Sequence, residues 1–311
     1  MDCEKNLEKE LLAPYMHLLQ VKSKQFRNKI VLAFNYWFKV PDDLVQNALN
    51  AMTMTYNASL LIDDIQDNSI KRRGIEAAHC IYGIPLTINT AVHVLVLALK
   101  QELDLVPAAL GGNIFVDHVL DVIYGQGVEI YWRDNFMCPS EKEYKEMVQQ
   151  KTGAMLLYGV KLLQVLSDDK RNYDDFVKLL GFYFQLRDDY CNLKQLEALE
   201  EYPEKEDESV NKEQDFCEDI TEGKFSLPII HAMKTPQGPT ILNILRQRTR
   251  DIEVKKYCLS LIEKSGSLQY TRDLLSELDR DARKELVRLG GNPLMEDVLD
   301  GLLSWKGSEN I

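Results

Sequence analysis

Apolar side chains recur at spacings of three and four along almost the whole of this 311-residue chain. Leu7 and Leu11 begin one such series, and Val45, Met52 and Leu61 belong to another. These spacings place the apolar side chains on one face of an α-helix, whereas a half-buried strand would need them at alternate positions. No segment of the sequence reads as alternating strands. We therefore predict an all-α fold, a single large bundle of about ten or more helices.

Composition supports one helical domain over residues 1–311. Hydrophobic residues make up 45% of the chain and charged residues 28%, which is enough apolar material for a large core and excludes disorder over most of the length. The 16 glycines and 10 prolines are fewer than average, which favours long helices over a turn-rich β architecture. The net charge of −12 excludes a nucleic-acid-binding protein, since phosphate recognition needs an excess of basic residues.

We expect a cytoplasmic protein without a membrane-spanning helix. The six cysteines lie far apart and form no Cys-x-x-Cys pair, so reduced thiols are expected rather than disulfides or a zinc site. The N-terminus is acidic and lacks the apolar core of a secretion signal. The longest apolar stretch, residues 91–99, is shorter than the roughly 20 residues that a membrane-spanning helix needs.

Half of the net charge lies in one short segment, residues 194–215. This segment holds nine acidic residues against three lysines, a net charge of −6. A charge run of this kind is typical of a solvated loop. We expect the chemistry of the protein to lie elsewhere in the chain.

Two acidic clusters follow apolar helices in the same way. The first runs from Asp63 to Asp67 and carries a third carboxylate at Asp64, and the second begins with Asp188 and Asp189. Carboxylates one helical turn apart repel each other, so a nearby cation should compensate them. One such cluster is ordinary on a solvated helix, but two clusters of matching spacing indicate a function.

Carboxylate oxygens in this pattern suit Mg²⁺, a hard cation that usually shares its coordination shell with substrate phosphates. Phosphates also require basic side chains, and Arg72 and Arg73 directly follow the first cluster. Further basic or polar candidates are Lys24, Arg27, Lys151, Thr152 and Lys224. Each basic residue alone is as well explained by a solvated surface charge. As a set around two acidic clusters, they predict a magnesium–diphosphate site inside a helical bundle.

Both clusters resemble the aspartate-rich motifs of trans-isoprenyl diphosphate synthases, and most closely those of eukaryotic (animal) geranylgeranyl diphosphate synthases. The segment from Asp63 to Gly74 is similar to the first motif, and the segment from Gln185 to Asn192 is similar to the second motif in its form ending in Asn. The resemblance covers nearly the whole chain, and its other motifs are Asn57–Leu61, Gly125–Gly127, Ile130–Asn135, Lys151–Gly153 and Glu222–Ser226. The acidic segment looks like an insertion relative to that family.

This resemblance implies the isoprenoid synthase fold, an all-α bundle with a deep central cavity, usually as a dimer or higher homo-oligomer. It implies Mg²⁺ ions, about two or three of them, that grip the diphosphate of an allylic prenyl diphosphate. The implied metal ligands are Asp63, Asp64, Asp67, Asp188 and Asp189. The implied diphosphate-binding residues are Arg72, Lys151, Thr152, Gln185, Lys212 and Lys224. A second substrate, isopentenyl diphosphate, would be bound by Lys24, Arg27 and Arg73.

The chain departs from the family pattern on the side of the second substrate. The family has Gly where this chain has Ser23, and it has a histidine that helps to bind isopentenyl diphosphate where this chain has Tyr56. A phenol carries no positive charge near neutral pH, and it is bulkier than an imidazole. Two positions that we expect to line the cavity, His93 and Ile123, also differ from the family pattern, although repacking of the core is an equal explanation.

Three functions therefore remain open. The expected metal ligands are all retained, whereas the residues expected to bind isopentenyl diphosphate are altered. This pattern predicts a terpene synthase, in which the allylic cation loses a proton or reacts with water instead of isopentenyl diphosphate. The alternative is an ordinary geranylgeranyl diphosphate synthase with tolerated substitutions, and a lesser one is a non-catalytic regulatory subunit of an active synthase. The small residues Ala58 and Ser59 predict an open cavity floor that accepts a long prenyl chain.

Overall fold

The helices predicted from the apolar spacing are present in the computed structural model, which describes residues 2–21, 25–106, 114–194 and 216–310. Helices account for most of these residues. Within the described part of the chain, the β-structure consists of the two-residue strands β1 (Lys71–Arg72) and β2 (Ile75–Glu76), which pair as an antiparallel hairpin. This hairpin was not predicted from the sequence. The all-α fold class is confirmed.

The chain falls into two compact units, the first containing Met1–Val116 and Tyr158–Lys170. Its six described helices before residue 107 are α1 (Asp2–Leu11), α2 (Ala13–Leu18), α3 (Phe26–Phe38), α4 (Asp42–Gln66), α5 (Ala78–Tyr82) and α6 (Ile84–Leu105). As the sequence predicts, α4 begins directly after Pro41 and has Asp42 and Asp43 in its first turn, where carboxylates interact favourably with the helix dipole. The prediction of one domain over residues 1–311 stays a prediction.

Helices α4 and α6 are the longest of the first unit and pack against each other. Gln101 on α6 joins them near the N-terminal half of α4. Its amide donates to the backbone oxygen of Asn47 at 3.1 Å, and its side-chain oxygen accepts from Asn50 at 3.0 Å. The length of α4 places its acidic C-terminal end well away from this junction.

Helix α6 is the one described helix that is long and apolar enough to cross a membrane by length and composition. Only 28% of its apolar window is buried. Core helices of soluble proteins pass the same length and composition test, so this finding alone assigns no membrane role. Its exposed apolar side chains form a stripe at helical spacing, consisting of Ile88, Val92, Val96 and Leu103.

The second unit contains Asp117–Leu157 and the described residues from Arg171 onward. Along the chain, the helices after the first six are α7 (Ile114–Asp134), α8 (Glu141–Val148), a π-helix (Gln149–Gly153), α9 (Ala154–Val165), α10 (Asp174–Lys194), α11 (Glu218–Glu222), α12 (Leu227–Ala232), α13 (Gly238–Leu245), α14 (Ile252–Lys264), α15 (Ser267–Arg288), α16 (Pro293–Leu302) and a 3₁₀ segment (Leu303–Asn310). The first residues of α7 and most of α9 belong to the first unit.

A close approach between α10 and the π-helix organises the second unit. A Cβ atom at Gly181 would lie 2.8 Å from the Cα of Gly153, which is closer than two such carbon atoms approach. Glycine at position 181 therefore allows α10 and the π-helix to pack this closely. A π-helical turn inside an α-helix is rare and is frequent at functional sites. Here it contains Lys151 and Thr152, two of the residues that the sequence singled out.

Candidate active site

The first acidic cluster lies at the C-terminal end of α4. Asp67 is the residue that caps the helix, and its N–H donates to the backbone oxygen of Asp63 at 2.8 Å. Asp64 and Asp67 are buried, whereas Asp63 is partly exposed. The cluster therefore combines buried charges with one accessible carboxylate, and buried charges require a partner.

Arg72 provides the compensating cation that the cluster requires. Its Nε donates to Oδ1 of Asp64 at 2.7 Å, and its Nη2 donates to Oδ2 of Asp63 at 3.2 Å and also to Asp64. The hairpin turn makes this possible, because Arg73 and Gly74 both adopt positive φ (54° and 81°) and fold β2 back on β1. The expectation of a nearby cation is confirmed.

Arg73 lies in a buried polar pocket beside α4. It donates to Oδ1 of Asn57 at 3.2 Å and to the backbone oxygen of Val21 at 3.4 Å. Tyr15 also interacts with Asn57, and burial raises the pKa of its phenol. The guanidinium is thus held in place by an amide and a carbonyl group of the protein.

Arg27 and Tyr56 form the most informative contact of the first unit. Nη1 of Arg27 donates to the Tyr56 hydroxyl at 2.6 Å, and its Cζ lies 4.3 Å from the centre of the Tyr56 ring. The ring also packs against the apolar cluster that contains Leu60 and Leu61. The guanidinium expected to bind the second substrate therefore contacts the phenol of Tyr56, at the position where the family resemblance implies a histidine. Ser23 and Lys24 lie outside the described residues.

The second acidic cluster lies on α10, where Asp189 is buried and receives three hydrogen bonds. The Tyr144 hydroxyl on α8 donates to Oδ2, Nε2 of Gln185 donates to Oδ1 at 3.0 Å, and the backbone N–H of Leu227 donates to Oδ2 at 3.0 Å. Burial raises the pKa of Asp189, and these three donors oppose that shift. Asp188, its neighbour, is partly exposed.

Lys151 and Thr152 are held by side chains on two neighbouring helices. The Thr152 hydroxyl donates to Oε1 of Gln185 at 2.7 Å, so Gln185 connects it to Asp189. Lys151 Nζ donates to Oε2 of Glu129 on α7 at 2.6 Å. The π-helix, α7 and α10 thus bring these predicted diphosphate-binding residues to one place in the second unit.

Asp219 adds a third carboxylate beside the second cluster. Its backbone N–H donates to Oδ1 of Asn192 at 3.3 Å, and its backbone oxygen accepts from the N–H of Lys224 at 2.9 Å. Burial and the neighbouring carboxylates, above all Asp189, raise the pKa of Asp219 well above its usual range, while Lys224 opposes that shift. Lys224 also pairs with Glu222 at 2.5 Å. Lys212 lies outside the described residues.

Four residues of this environment were not predicted as site residues, namely Asn57, Glu129, Tyr144 and Asp219. Three of them lie within or beside motifs that the sequence singled out, so their position along the chain was a usable signal. Tyr144 had no such signal, because in the sequence it belongs to the apolar face of a short helix. Tyr144 contributes to this environment through its hydrogen bond to Asp189, which lies 45 residues further along the chain.

The two expected cavity residues differ in their surroundings. His93 on α6 is partly exposed, and its position in a cavity stays a prediction. Ile123 is 60% exposed and belongs to an apolar surface stripe of α7 with Leu120 and Tyr124. The expectation that Ile123 lines a cavity is therefore wrong, because its side chain lies among exposed apolar neighbours on the helix.

The donor set fits Mg²⁺ by its chemistry. Within the described ranges, no group of three or more His, Cys, Asp or Glu side chains is arranged to hold a metal ion by itself. Mg²⁺ does not need such a group, since it usually takes one or two carboxylates and completes its shell with water and substrate phosphates. The accessible carboxylates of Asp63 and Asp188 are hard oxygen donors of this kind.

Comparison with known proteins identifies the family. The polyprenyl synthetase family model matches residues 8–262. A terpene synthase of Matsumurasca onukii is 51% identical over 97% of this chain and 96% of its own length. Geranylgeranyl pyrophosphate synthases of Mucor circinelloides f. lusitanicus and Dictyostelium discoideum are 42% and 43% identical, over 96% and 94% of this chain and 94% and 93% of their own lengths.

The chain therefore belongs to the polyprenyl synthetase family of trans-isoprenyl diphosphate synthases. The family assignment made from the aspartate-rich motifs is confirmed. So is the enzyme class, a terpene synthase or a trans-prenyltransferase of isoprenoid biosynthesis.

Proposed function

We propose that this protein is a magnesium-dependent terpene synthase that ionises an allylic prenyl diphosphate. The carboxylates that would hold Mg²⁺ are Asp63, Asp64, Asp67, Asp188 and Asp189. When bound, Mg²⁺ stabilises the negative charge that develops on the leaving diphosphate. Arg72, Lys151 and Lys224 are the basic residues that the family resemblance assigns to the diphosphate. Thr152 donates to Gln185, which in turn donates to Asp189 and orients that carboxylate.

Breaking the carbon–oxygen bond leaves an allylic cation and a diphosphate. In a terpene synthase the cation then loses a proton or is attacked by water, which yields a hydrocarbon or an alcohol. In a prenyltransferase the double bond of isopentenyl diphosphate attacks the cation, and the product is a longer prenyl diphosphate. The two reactions share the ionisation step and differ in whether isopentenyl diphosphate is bound.

The contact between Arg27 and Tyr56 is the observation that carries this proposal. A guanidinium that contacts a phenol through both its N–H and its face has fewer donors to offer to a diphosphate. Arg73, the second arginine expected to bind isopentenyl diphosphate, is buried and bonded to Asn57 and to a backbone carbonyl. The 51% identity to a terpene synthase, against 42–43% to the two geranylgeranyl pyrophosphate synthases, also favours this function.

A geranylgeranyl diphosphate synthase is the second candidate, because Arg27 and Arg73 are both retained and two of the compared relatives carry that name. A non-catalytic subunit is less well supported. Buried carboxylates such as Asp64 and Asp67 repel each other and lower the stability of the fold. A subunit without catalytic activity would gain nothing in return for that cost.

A homo-oligomer in the cytoplasm is part of this proposal. The apolar stripe of α6 carries four exposed side chains at helical spacing. A second copy of the chain is the natural occupant, since a two-fold axis brings identical stripes together. Val92→Asp should then shift a dimer toward monomer in sedimentation velocity, whereas the exposed Val287→Asp on α15 should not.

Gas chromatography of reaction products tests the function. The purified protein is incubated with Mg²⁺ and geranyl, farnesyl or geranylgeranyl diphosphate, each with and without radiolabelled isopentenyl diphosphate. We expect a volatile hydrocarbon or alcohol from the allylic substrate alone, and little incorporation of label. Efficient elongation with no volatile product would refute the terpene synthase and leave the prenyltransferase.

The variant Tyr56→His tests the contact that carries the proposal. Restoring an imidazole returns a charge-assisted donor worth about 1.5–3 kcal/mol, so KM for isopentenyl diphosphate should fall by roughly ten- to a hundredfold. Tyr257→His, at an exposed tyrosine of α14, is the matched control and should change nothing. Unchanged incorporation in Tyr56→His would show that Tyr56 does not control the second substrate.

A further inference from the structure

The motif Ile130–Asn135 spans the end of α7, and none of the residues assigned to the metal or the substrate belongs to it. Arg133, a charged residue of this motif, is only 3% exposed. It lies one turn after Glu129, which accepts a hydrogen bond from Lys151 at 2.6 Å, and residues four apart share one face of a helix. The face of α7 that holds one proposed diphosphate-binding lysine therefore also holds a buried guanidinium, which needs acceptors close by.

One carboxylate oxygen joins Arg133 to a second arginine. Oδ1 of Asp134 accepts from Nε of Arg133 at 3.0 Å and from Nη2 of Arg248 at 2.5 Å. Partial burial disfavours the charged form of Asp134, but the hydrogen bonds from the two arginines outweigh it and lower the pKa of this carboxyl group below its usual value. Arg248 lies 114 residues further along the chain, so the contact connects the end of α7 to the segment that follows α13.

Gly223 occupies the space between the aliphatic stems of these two arginines. A Cβ atom at this position would lie 3.9 Å from Cγ of Arg133, 3.8 Å from Cγ of Arg248 and 3.2 Å from the backbone oxygen of Leu245. Gly223 itself ends α11 with a positive φ of 75°, a conformation that favours glycine. The turn at the end of α11 therefore packs between two arginine stems whose charged heads meet at Asp134.

This turn carries charged residues that lie beside the second acidic cluster. Lys224 directly follows Gly223, and its N–H donates to the backbone oxygen of Asp219 at 2.9 Å. The side chain of Lys224 is mostly buried and pairs with Glu222 at 2.5 Å. Because the backbone hydrogen bond closes the turn between Asp219 and Lys224, a displacement of Gly223 would move both charged side chains.

We propose that Asp134 is a positioning residue that holds Lys224 at the diphosphate of the substrate. Its carboxylate draws two arginines together, and their stems keep Gly223 and the turn that follows it in place. The side chain of Asp134 is 46% exposed, and it acts through its neighbours. The inference rests on the proposed function in one respect, namely that Lys224 binds the diphosphate. It does not depend on the fate of the allylic cation.

Binding of inorganic diphosphate in the presence of Mg²⁺ tests the proposal without the need for turnover. Diphosphate is titrated in a calorimeter into the full-length wild type, Asp134→Ala, Lys224→Met and the double variant. A hydrogen bond from a charged group contributes roughly ten- to a hundredfold to affinity, so Lys224→Met should raise the Kd by about that factor. Asp134→Ala leaves the lysine present but less firmly held, so it should forfeit part of this contribution and raise the Kd by about three- to tenfold.

The double variant distinguishes positioning from a general loss of structure. If Asp134 acts through Lys224, Asp134→Ala should leave the Kd unchanged in the Lys224→Met background, whereas a merely structural role would weaken binding in both backgrounds. Additive effects, or a wild-type Kd in Asp134→Ala, would overturn the proposal. Asp300→Ala is the matched control and should bind diphosphate like the wild type, because Asp300 accepts from Arg283 at 2.7 Å in an exposed pair of the same unit.

Thermal melting of each variant confirms that it is folded. Arg248→Met replaces Asp134→Ala in these titrations if the alanine variant does not fold, since methionine keeps a stem beside Gly223 but lacks the charged head.

The outcome is separable from the test of the proposed function. If the protein elongates substrates with isopentenyl diphosphate, the terpene synthase fails, but the effects of Asp134→Ala and Lys224→Met should still be non-additive. If the two effects are additive in a protein that releases a terpene, the positioning role fails and the terpene synthase stands. If Lys224→Met binds diphosphate as tightly as the wild type, the assignment of Lys224 to the diphosphate and the positioning role of Asp134 both fail.

Discussion

The Tyr144 hydroxyl donates a hydrogen bond to Oδ2 of Asp189, and both side chains are buried. Burial and the neighbouring carboxylate raise the pKa of Tyr144 well above its usual range, so the phenol stays protonated and remains a donor. The same carboxylate oxygen accepts from the N–H of Leu227, and the other accepts from Gln185. Tyr144 is thus one of three donors that orient a proposed metal ligand.

Tyr144→Phe should lower kcat by about ten- to a hundredfold, because a hydrogen bond to a charged group is worth about 1.5–3 kcal/mol. The Mg²⁺ concentration for half-maximal activity should rise as well, which a loss of folding stability alone would not cause. Turnover measured over a Mg²⁺ series checks both effects. Tyr257→Phe, at an exposed tyrosine, is the control. Wild-type kinetics in Tyr144→Phe would mean that Asp189 does not need this donor.

Asp63→Ala and Asp188→Ala should each abolish ionisation of every allylic diphosphate, with losses of at least about a hundredfold in kcat. Each substitution removes an accessible carboxylate assigned to Mg²⁺, and chelation of the metal should have the same effect. Asp297→Ala, at an exposed aspartate of α16, should leave kcat unchanged. If Asp188→Ala retained most of the activity, the second cluster would have no part in metal binding.

Lys255→Met should destabilise the second unit. Lys255 on α14 is buried, and its Nζ donates to the backbone oxygen of Phe216 at 2.6 Å and to Glu218 at 3.3 Å. The substitution leaves both acceptors without this donor, so the free energy of unfolding should fall by about 1–3 kcal/mol. Urea denaturation measures the change.

Lys256→Met is the matched control for that measurement, because Lys256 is the next residue and its pair with Glu253 at 2.8 Å is exposed. An exposed pair contributes at most about 1 kcal/mol. Equal losses in the free energy of unfolding of the two variants would mean that the buried hydrogen bonds of Lys255 do not stabilise the protein. Since Phe216 leads directly into α11, which carries Asp219, we also expect a lower kcat in Lys255→Met and not in Lys256→Met.

Glu102→Gln should make stability less dependent on pH. Burial raises the pKa of Glu102 above the value of about 4.3 that a glutamate has in the unfolded chain. The folded state therefore keeps the proton to higher pH than the unfolded state does, and this contribution to stability is lost as the pH rises from about 4.3 through the raised pKa. The glutamine side chain can still accept the hydrogen bond that the backbone N–H of Phe115 donates to Glu102 at 3.1 Å, and it does not titrate.

Urea denaturation of the wild type and Glu102→Gln between pH 4 and pH 8, a range of about four units chosen to span the expected titration, checks this dependence. The stability of the wild type relative to the variant should fall as the pH rises. Glu253→Gln, at an exposed glutamate of α14, should show no such trend. A constant difference between wild type and Glu102→Gln would mean that the carboxyl group titrates alike in both states.

The helices and the need for a cation beside the first acidic cluster could be predicted from the sequence alone. Apolar spacing indicated the all-α class, and Pro41-Asp42 marked the first residue of α4, because both signals act within one or two helical turns. The repeated carboxylate spacing indicated the Mg²⁺–diphosphate chemistry, and the need for charge compensation predicted a cation such as Arg72. These are local properties, and a sequence displays them directly.

The contacts between residues far apart in the chain could not be predicted in that way. Arg27 meets Tyr56 across 29 residues, and Tyr144 meets Asp189 across 45 residues. Glu102, Phe115 and Tyr158 come together only because several helices pack at one point. Which side chains become neighbours depends on how the helices pack, and neither helical periodicity nor motif spacing contains that information. The sequence therefore determined the fold class and the family motifs, whereas the tertiary structure decided which donors surround each charge.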